Sequence, residues 1–153
     1  MDSLAPVLSK QPFLEGLGRR HLDLLAGCAS QVRFTPGEFL FRLGEEPNSF
    51  YLVRFGKVAL ELYATERGAI TLMTAGEGEA VGWSWLVPPH KWELDARAIA
   101  PTLTMAFDAV CLRRKCEEDH DLGFEMYKRF APVIARRVQA ASLQVLDTHR
   151  EYP

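Results

Sequence analysis

Three cysteines and four histidines among 153 residues leave little material for metal or thiol chemistry. Cys28, Cys111 and Cys116 cannot all pair within one chain, and the Cys111/Cys116 spacing matches no zinc pattern, since a closed zinc site needs four ligands. They read as reduced, structural thiols. His21, His90, His120 and His149 include no close His-x-His pair of the kind a metal-binding β-barrel uses, so no metal is expected. No apolar run approaches the roughly 18–20 residues that span a bilayer. The opening stretch MDSLAPVLSKQPFLEGLG lacks a basic region followed by an apolar one. Neither a membrane span nor export is expected, and the cytoplasm is the default compartment. An excess of one charge is missing too. Lys and Arg number 18 against 20 Asp and Glu, a net charge of −2 that gives no electrostatic case for nucleic acid. There is no Ser/His/Asp grouping at a strained turn, no phosphate-cradling Gly-rich loop and no carboxylate pair in an apolar setting. The expectation is a protein that is not an enzyme.

What is present is an ordinary globular composition, 48% hydrophobic and 25% charged, in a chain long enough for one domain with a real core. Residues 1–11 read as an N-terminal extension. From Pro12 to Ala29 the apolar positions Phe13, Leu14, Leu17, Leu22, Leu24 and Leu25 suit a short helix or two, interrupted by Gly16 and Gly18. Between about residues 31 and 108 the period falls to near two, with turn signals at short intervals. Pro36-Gly37 separates two apolar runs, Gly56 precedes Val58–Tyr63, and Glu66-Arg67-Gly68 marks a hairpin tip. Short strands packed so closely imply a mainly β domain, an antiparallel sandwich or barrel.

Past Asp108, a candidate helix cap, the period lengthens again. Asp119 to Asp121 offers a second cap, and C-terminal helices are expected over about 109–149, with 150–153 as a tail. Leu122, Met126, Phe130, Val133, Val138, Ala141 and Val145 form one apolar stripe, widened by Leu143 and Leu146. That stripe suits packing on the barrel and dimerisation equally, with Phe130, Val138, Ala141 and Val145 as the candidate dimer residues. Pro132 lies inside it and predicts a kink or a break. Arg113-Arg114-Lys115, followed by acidic residues, and Arg136-Arg137 read as solvated faces.

The stretches FTPGEFLFRLGEEPNSFYLVRFGKVAL and IARRVQAASLQVL, in this order and spacing, resemble the cyclic-nucleotide-binding domain of catabolite-activator-type (Crp/Fnr-like) regulators. The likeness runs from about Pro12 to Leu146. It implies a double-stranded β-helix jelly roll with an N-terminal helix and C-terminal helices, a domain over 12–149. It also implies a phosphate-binding cassette, in which helix-end amides and an Arg hold the cyclic phosphate and a Glu accepts the ribose hydroxyl. Here the cassette reads Glu79-Ala80-Val81-Gly82-Trp83-Ser84-Trp85 through Lys91-Trp92 to Ala98. Gly82 matches the family glycine, whereas Trp83 stands at the Glu position, Trp85 at an Ala position, Lys91 at the Pro position and Trp92 at the Arg position. The base-reading hydroxyl pair of the dimer helix corresponds to Ala141 and Ser142.

An indole cannot neutralise a phosphate. Gly82, Trp83, Ser84, Trp85, Lys91, Trp92 and Ser142 are therefore the candidate ligand-binding residues of a noncanonical cassette. Lys91 or His90 could swing a cation inward, and the amides from Gly82 to Trp85 could form an anion-binding helix end. The three tryptophans either fill the old pocket or line a cavity for an apolar or planar ligand. No cofactor is implied. The expected function is a stand-alone regulatory sensor without ordinary cyclic AMP binding. The alternatives are a ligand-free scaffold subunit with a degenerate pocket, a true cyclic-nucleotide receptor and, more remotely, a small-molecule-binding enzyme subunit. A homodimer through the C-terminal helix and a protein partner are expected. So is the absence of direct DNA binding, since the chain stops at Pro153 with nothing left for a helix-turn-helix.

Overall fold

Alternation along the chain sets the layers. The computed structural model describes residues 3–151 except 65, 67, 89 and 93, and the side chains of that span except those of residues 64, 141, 144, 145 and 147–151. Its strands are β1 (Ala29–Phe34), β2 (Phe39–Phe41), β3 (Ser49–Phe55), β4 (Val58–Ala64), β5 (Gly68–Ala75), β6 (Ala80–Val81), β7 (Asp95–Ala98) and β8 (Thr102–Asp108). Among the described residues they pair into two four-stranded antiparallel sheets, ordered β1-β8-β3-β6 and β2-β7-β4-β5. This is the expected jelly roll, mainly β with helices at both ends.

Parity works where the strand is regular. Ala96 and Ala98 of β7, with Leu94 just before them, point into the roll and are buried. Arg97, between them, grips Glu61 of β4 with two hydrogen bonds of 2.9 Å. Those bonds outweigh burial and hold the Glu61 carboxyl below its usual range. Gly56, at φ +106° between β3 and β4, lies against the Pro101–Thr102 backbone, where a Cβ would come within 2.6 Å. Only glycine tolerates both conditions.

Two apolar clusters result. One lies inside the roll and joins Phe41, Val53, Leu60, Val81, Trp92 and Leu94. The other sits between the β1-β8-β3-β6 sheet and the helices, around Phe50, Trp85, Phe107 and Phe130. It begins upstream of Pro12, because Ala5 and Leu8 of the short helix α1 (Ala5–Leu8) are buried in it. The helical stretch expected over 12–29 resolves into a 3-10 turn at Pro12–Leu14 and helix α2 (Arg19–Ala26).

Asp108 caps helix α3 (Ala109–Glu118), accepting the Cys111 amide at 2.8 Å. Asp119 accepts the Leu122 amide at 3.2 Å at the start of helix α4 (His120–Glu151). Of the kink or break expected at Pro132, there is no break: one helix runs through it. Pro132 and Lys128, whose carbonyl loses its donor, are both exposed residues, so the proline sits on the solvent side of the helix. Leu122, Met126, Phe130 and Val133 are buried, so this half of the stripe packs on the barrel. Phe130 is fully buried against Phe13, Phe50 and Trp85, which corrects its assignment to a dimer face.

The cysteines require a second correction. Cys28, at the end of α2, and Cys111 in α3 form a disulfide with a Cα separation of 5.8 Å, tying the N-terminal helices to α3. The third thiol, Cys116, is pushed up to about 11 by burial and by Asp119 and Glu117, which leaves it unreactive near neutral pH. Since the Cys28–Cys111 bridge closes a long loop, replacing both residues by Ser should lower unfolding free energy by about 2–4 kcal/mol in denaturant titrations under oxidising conditions. The same loss should follow dithiothreitol treatment of the unmodified protein. Equal stability of the oxidised and reduced forms would remove the bridge from the fold's support.

Candidate ligand-binding site

The cassette lies between β6 and β7. Residues 84–86 form turns, with the Leu86 amide bonded to the Trp83 carbonyl at 2.9 Å, so no helix end presents its amides there. The chain enters through Gly82 at φ +96°. A Cβ at that position would lie 2.7 Å from the Trp92 ring and 3.4 Å from Phe41, so only glycine lets the indole in. Trp92 stacks flat on Phe41, with ring centroids 3.7 Å apart and planes 10° from parallel. Gly82, Trp83, Ser84, Trp92, Phe41, Leu94 and Arg137 line this cup, whose remaining space is about 10 Å³. That is room for one water molecule at most.

The three tryptophans thus have three separate fates. Trp92 plugs the cup. Trp85 turns the other way and is fully buried in the helix-side core, its ring 5.4 Å from that of Phe50, so it does not belong to the cup as expected. Trp83 is half-buried and lies under the Arg137 guanidinium, 4.8 Å from its ring centroid.

Arg137 is the residue that sequence reasoning missed. Read as part of a solvated face, it is instead 6% exposed, and its Nη2 donates to the Ala80 carbonyl at 3.0 Å. Its Nε and Nη1 have no partner among the described residues. Burial lowers its pKa to about 10, partly offset by Glu79 and reinforced by Arg136, so it remains a cation near neutral pH. The signal was available: Arg137 lies four residues after Val133 and continues the buried 122-126-130-133 series.

Two other predicted positions move away from the cup. Lys91 is exposed and lines neither the cup nor the hollow beside it. Ser142 is exposed and donates back to the Val138 carbonyl at 2.9 Å. Ala141 and Val145 lie in α4 with side chains outside the described set. Beside the cup, Leu62, Leu72, Met73, Leu94 and Val138 surround an apolar hollow of about 210 Å³ that shares Trp83 and Arg137 with it.

The cassette loop is also fastened to the helices. Arg113 of α3, expected on a solvated face, donates to the Trp85 carbonyl at 2.8 Å, and the Tyr127 hydroxyl of α4 donates to the Leu86 carbonyl at 3.2 Å.

No curated protein sequence matches the chain. Among solved structures, a protein of Geobacter metallireducens provisionally described as cyclic nucleotide-binding superposes with a TM-score of 0.78 at 22% identity, covering 90% of this chain and 99% of that one. The catabolite activator protein of Thermus thermophilus gives a TM-score of 0.68 at 25% identity over 88% of this chain and 61% of its own. The regulatory subunit of a cAMP-independent protein kinase A from Trypanosoma brucei gives 0.67 at 21% identity over 87% of this chain, which spans 50% of that subunit. The sequence profile of the cyclic nucleotide-binding domain matches residues 31–119, β1 through α3 and more than half of the sequence, and the chain accordingly belongs to that family.

Proposed function

We propose that this domain is a regulatory binding module that no longer takes a cyclic phosphate as its ligand. One observation carries the reading: Trp92 lies flat on Phe41 in the cup and leaves about 10 Å³ beside Gly82. A phosphate could enter only if the indole left. It would then lack the guanidinium that the cassette supplies in the family, with Arg137 of α4 as the one cation lining the cup among the described residues. The cAMP-independent trypanosome subunit supports this, since a related fold serves regulation there without cyclic AMP.

Occupancy is read through the Arg113 and Tyr127 hydrogen bonds, which link the cassette loop to α3 and α4. A second copy of the chain is the partner assigned to the far half of α4, where Val138, Leu143 and Leu146 are 61%, 62% and 54% exposed. A further protein then reads the helices, with no direct contact to DNA and no catalysis, and the compartment we assign is the cytoplasm. The closed cup also favours a second reading, a ligand-free scaffold subunit; the hollow beside Trp83 speaks against it.

In calorimetric titration the protein should show no binding of cyclic AMP or cyclic GMP tighter than millimolar. A variant combining Trp92→Arg with Trp83→Glu should gain it. Micromolar binding of cyclic AMP by the unmodified protein would overturn the reading. For the partner face, light scattering should give the mass of two chains, reduced to one by Leu143→Glu together with Leu146→Glu. A monomeric unmodified protein, or a variant that stays dimeric, would remove α4 from the interface.

A further inference from the structure

A buried cation needs an anion. Arg137 has one hydrogen bond, to a carbonyl, and two donors without partners among the described residues. No described carboxylate forms an ion pair with it; Glu79 acts only through space and is itself exposed. The guanidinium lies over the Trp83 ring, and both residues line the apolar hollow of about 210 Å³. Arg137 is the only charged side chain among the described residues lining that hollow.

Size narrows the class of ligand. A cavity of about 150 Å³ takes benzene, whereas drug-sized ligands use about 300–1,000 Å³. The hollow therefore suits one ring or a short chain, and is too small for a nucleotide. Its walls of Leu62, Leu72, Met73, Leu94 and Val138 offer nothing to a sugar's hydroxyl groups.

We infer that the hollow binds a small monocarboxylate with an apolar body, a single-ring aromatic acid or a short fatty acid, with its carboxylate on the Arg137 guanidinium. This rests on the reading that the domain binds a small molecule other than a cyclic nucleotide. The planar fork of Arg matches a carboxylate with two parallel N–H···O bonds. The apolar body would cover Trp83 and complete the burial of the hollow.

The test uses the unmodified chain with benzoate, hexanoate, benzamide and inorganic phosphate as probes, followed by tryptophan fluorescence and calorimetry near neutral pH. Benzoate or hexanoate should saturate, and benzamide and phosphate should bind at least about tenfold more weakly, the ratio a charge-assisted bond or the lost apolar burial supports. Arg137→Gln should weaken the acids by about the same factor and leave benzamide unchanged. Its thermal midpoint should equal or exceed that of the unmodified protein, because an uncompensated buried charge has been removed. Equal affinity for benzoate and benzamide would overturn the inference without any variant. So would phosphate binding as tightly as benzoate, an acid affinity insensitive to Arg137→Gln, or failure of both acids to saturate. If the acids fail while cyclic AMP is also silent, only this inference falls. If cyclic AMP binds at micromolar concentration, the reading beneath it falls as well.

Discussion

Trp92 can stack on Phe41 because residue 82 has no Cβ. The ring edge passes within 2.7 Å of where one would be, and the backbone there is left-handed, so two independent conditions select glycine at one position. From that contact the rest of the site follows. The indole fills the cup with carbon and joins the interior cluster of the roll. A phosphate cup and an apolar plug demand opposite surroundings, and burying an indole in place of an ion pair avoids the desolvation cost that a paired charge would carry.

The opposite wall carries a buried cation. Arg137 projects from α4 at a position in register with the core-facing series, so the helix cannot turn it outward without exposing Val133 and Phe130. The guanidinium settles over the Trp83 face and takes the Ala80 carbonyl as its one strong acceptor. Cation–π attraction is worth about 2 kcal/mol when desolvated. Removing the charge from water costs several kcal/mol. Burial lowers the pKa of Arg137, the direction expected when a cation is taken out of water.

The sequence revealed the fold wherever the period was regular. Leu94, Ala96 and Ala98 alternate into the roll as their spacing requires, Asp108 caps its helix, and Pro36-Gly37 makes a turn. The site was legible only in part. Parity could not sort Trp83 from Trp85, because residues 84–86 are turns with no two-residue period. The Cys28–Cys111 pair spans 83 residues, beyond any local signal. Arg137 was misread for another reason: a cation on a helix was placed by its charge, whereas its position in the apolar series, four residues after Val133, governs where it points. At Pro132 the sequence left a kink and a break open, and the helix is not broken there, on a side of α4 that faces away from the core.

One residue joins the two halves of the functional reading. Val138 lines the hollow beside Arg137 and is also 61% exposed on the half of α4 assigned to a second copy. If a second copy pairs there, its helix would cover part of the hollow's mouth, and occupancy of the hollow and pairing of the helices would be coupled. Their coupling is reciprocal by necessity: whatever free energy the ligand adds to dimer formation, dimer formation adds to ligand affinity. The sign depends on which side of Val138 the ligand's body reaches. A body short enough to stay beneath that side chain extends the apolar surface the partner covers and favours the dimer. One that protrudes past it blocks the approach of the second helix. A limit on ligand size and a switch in assembly would then be the same physical property of this site.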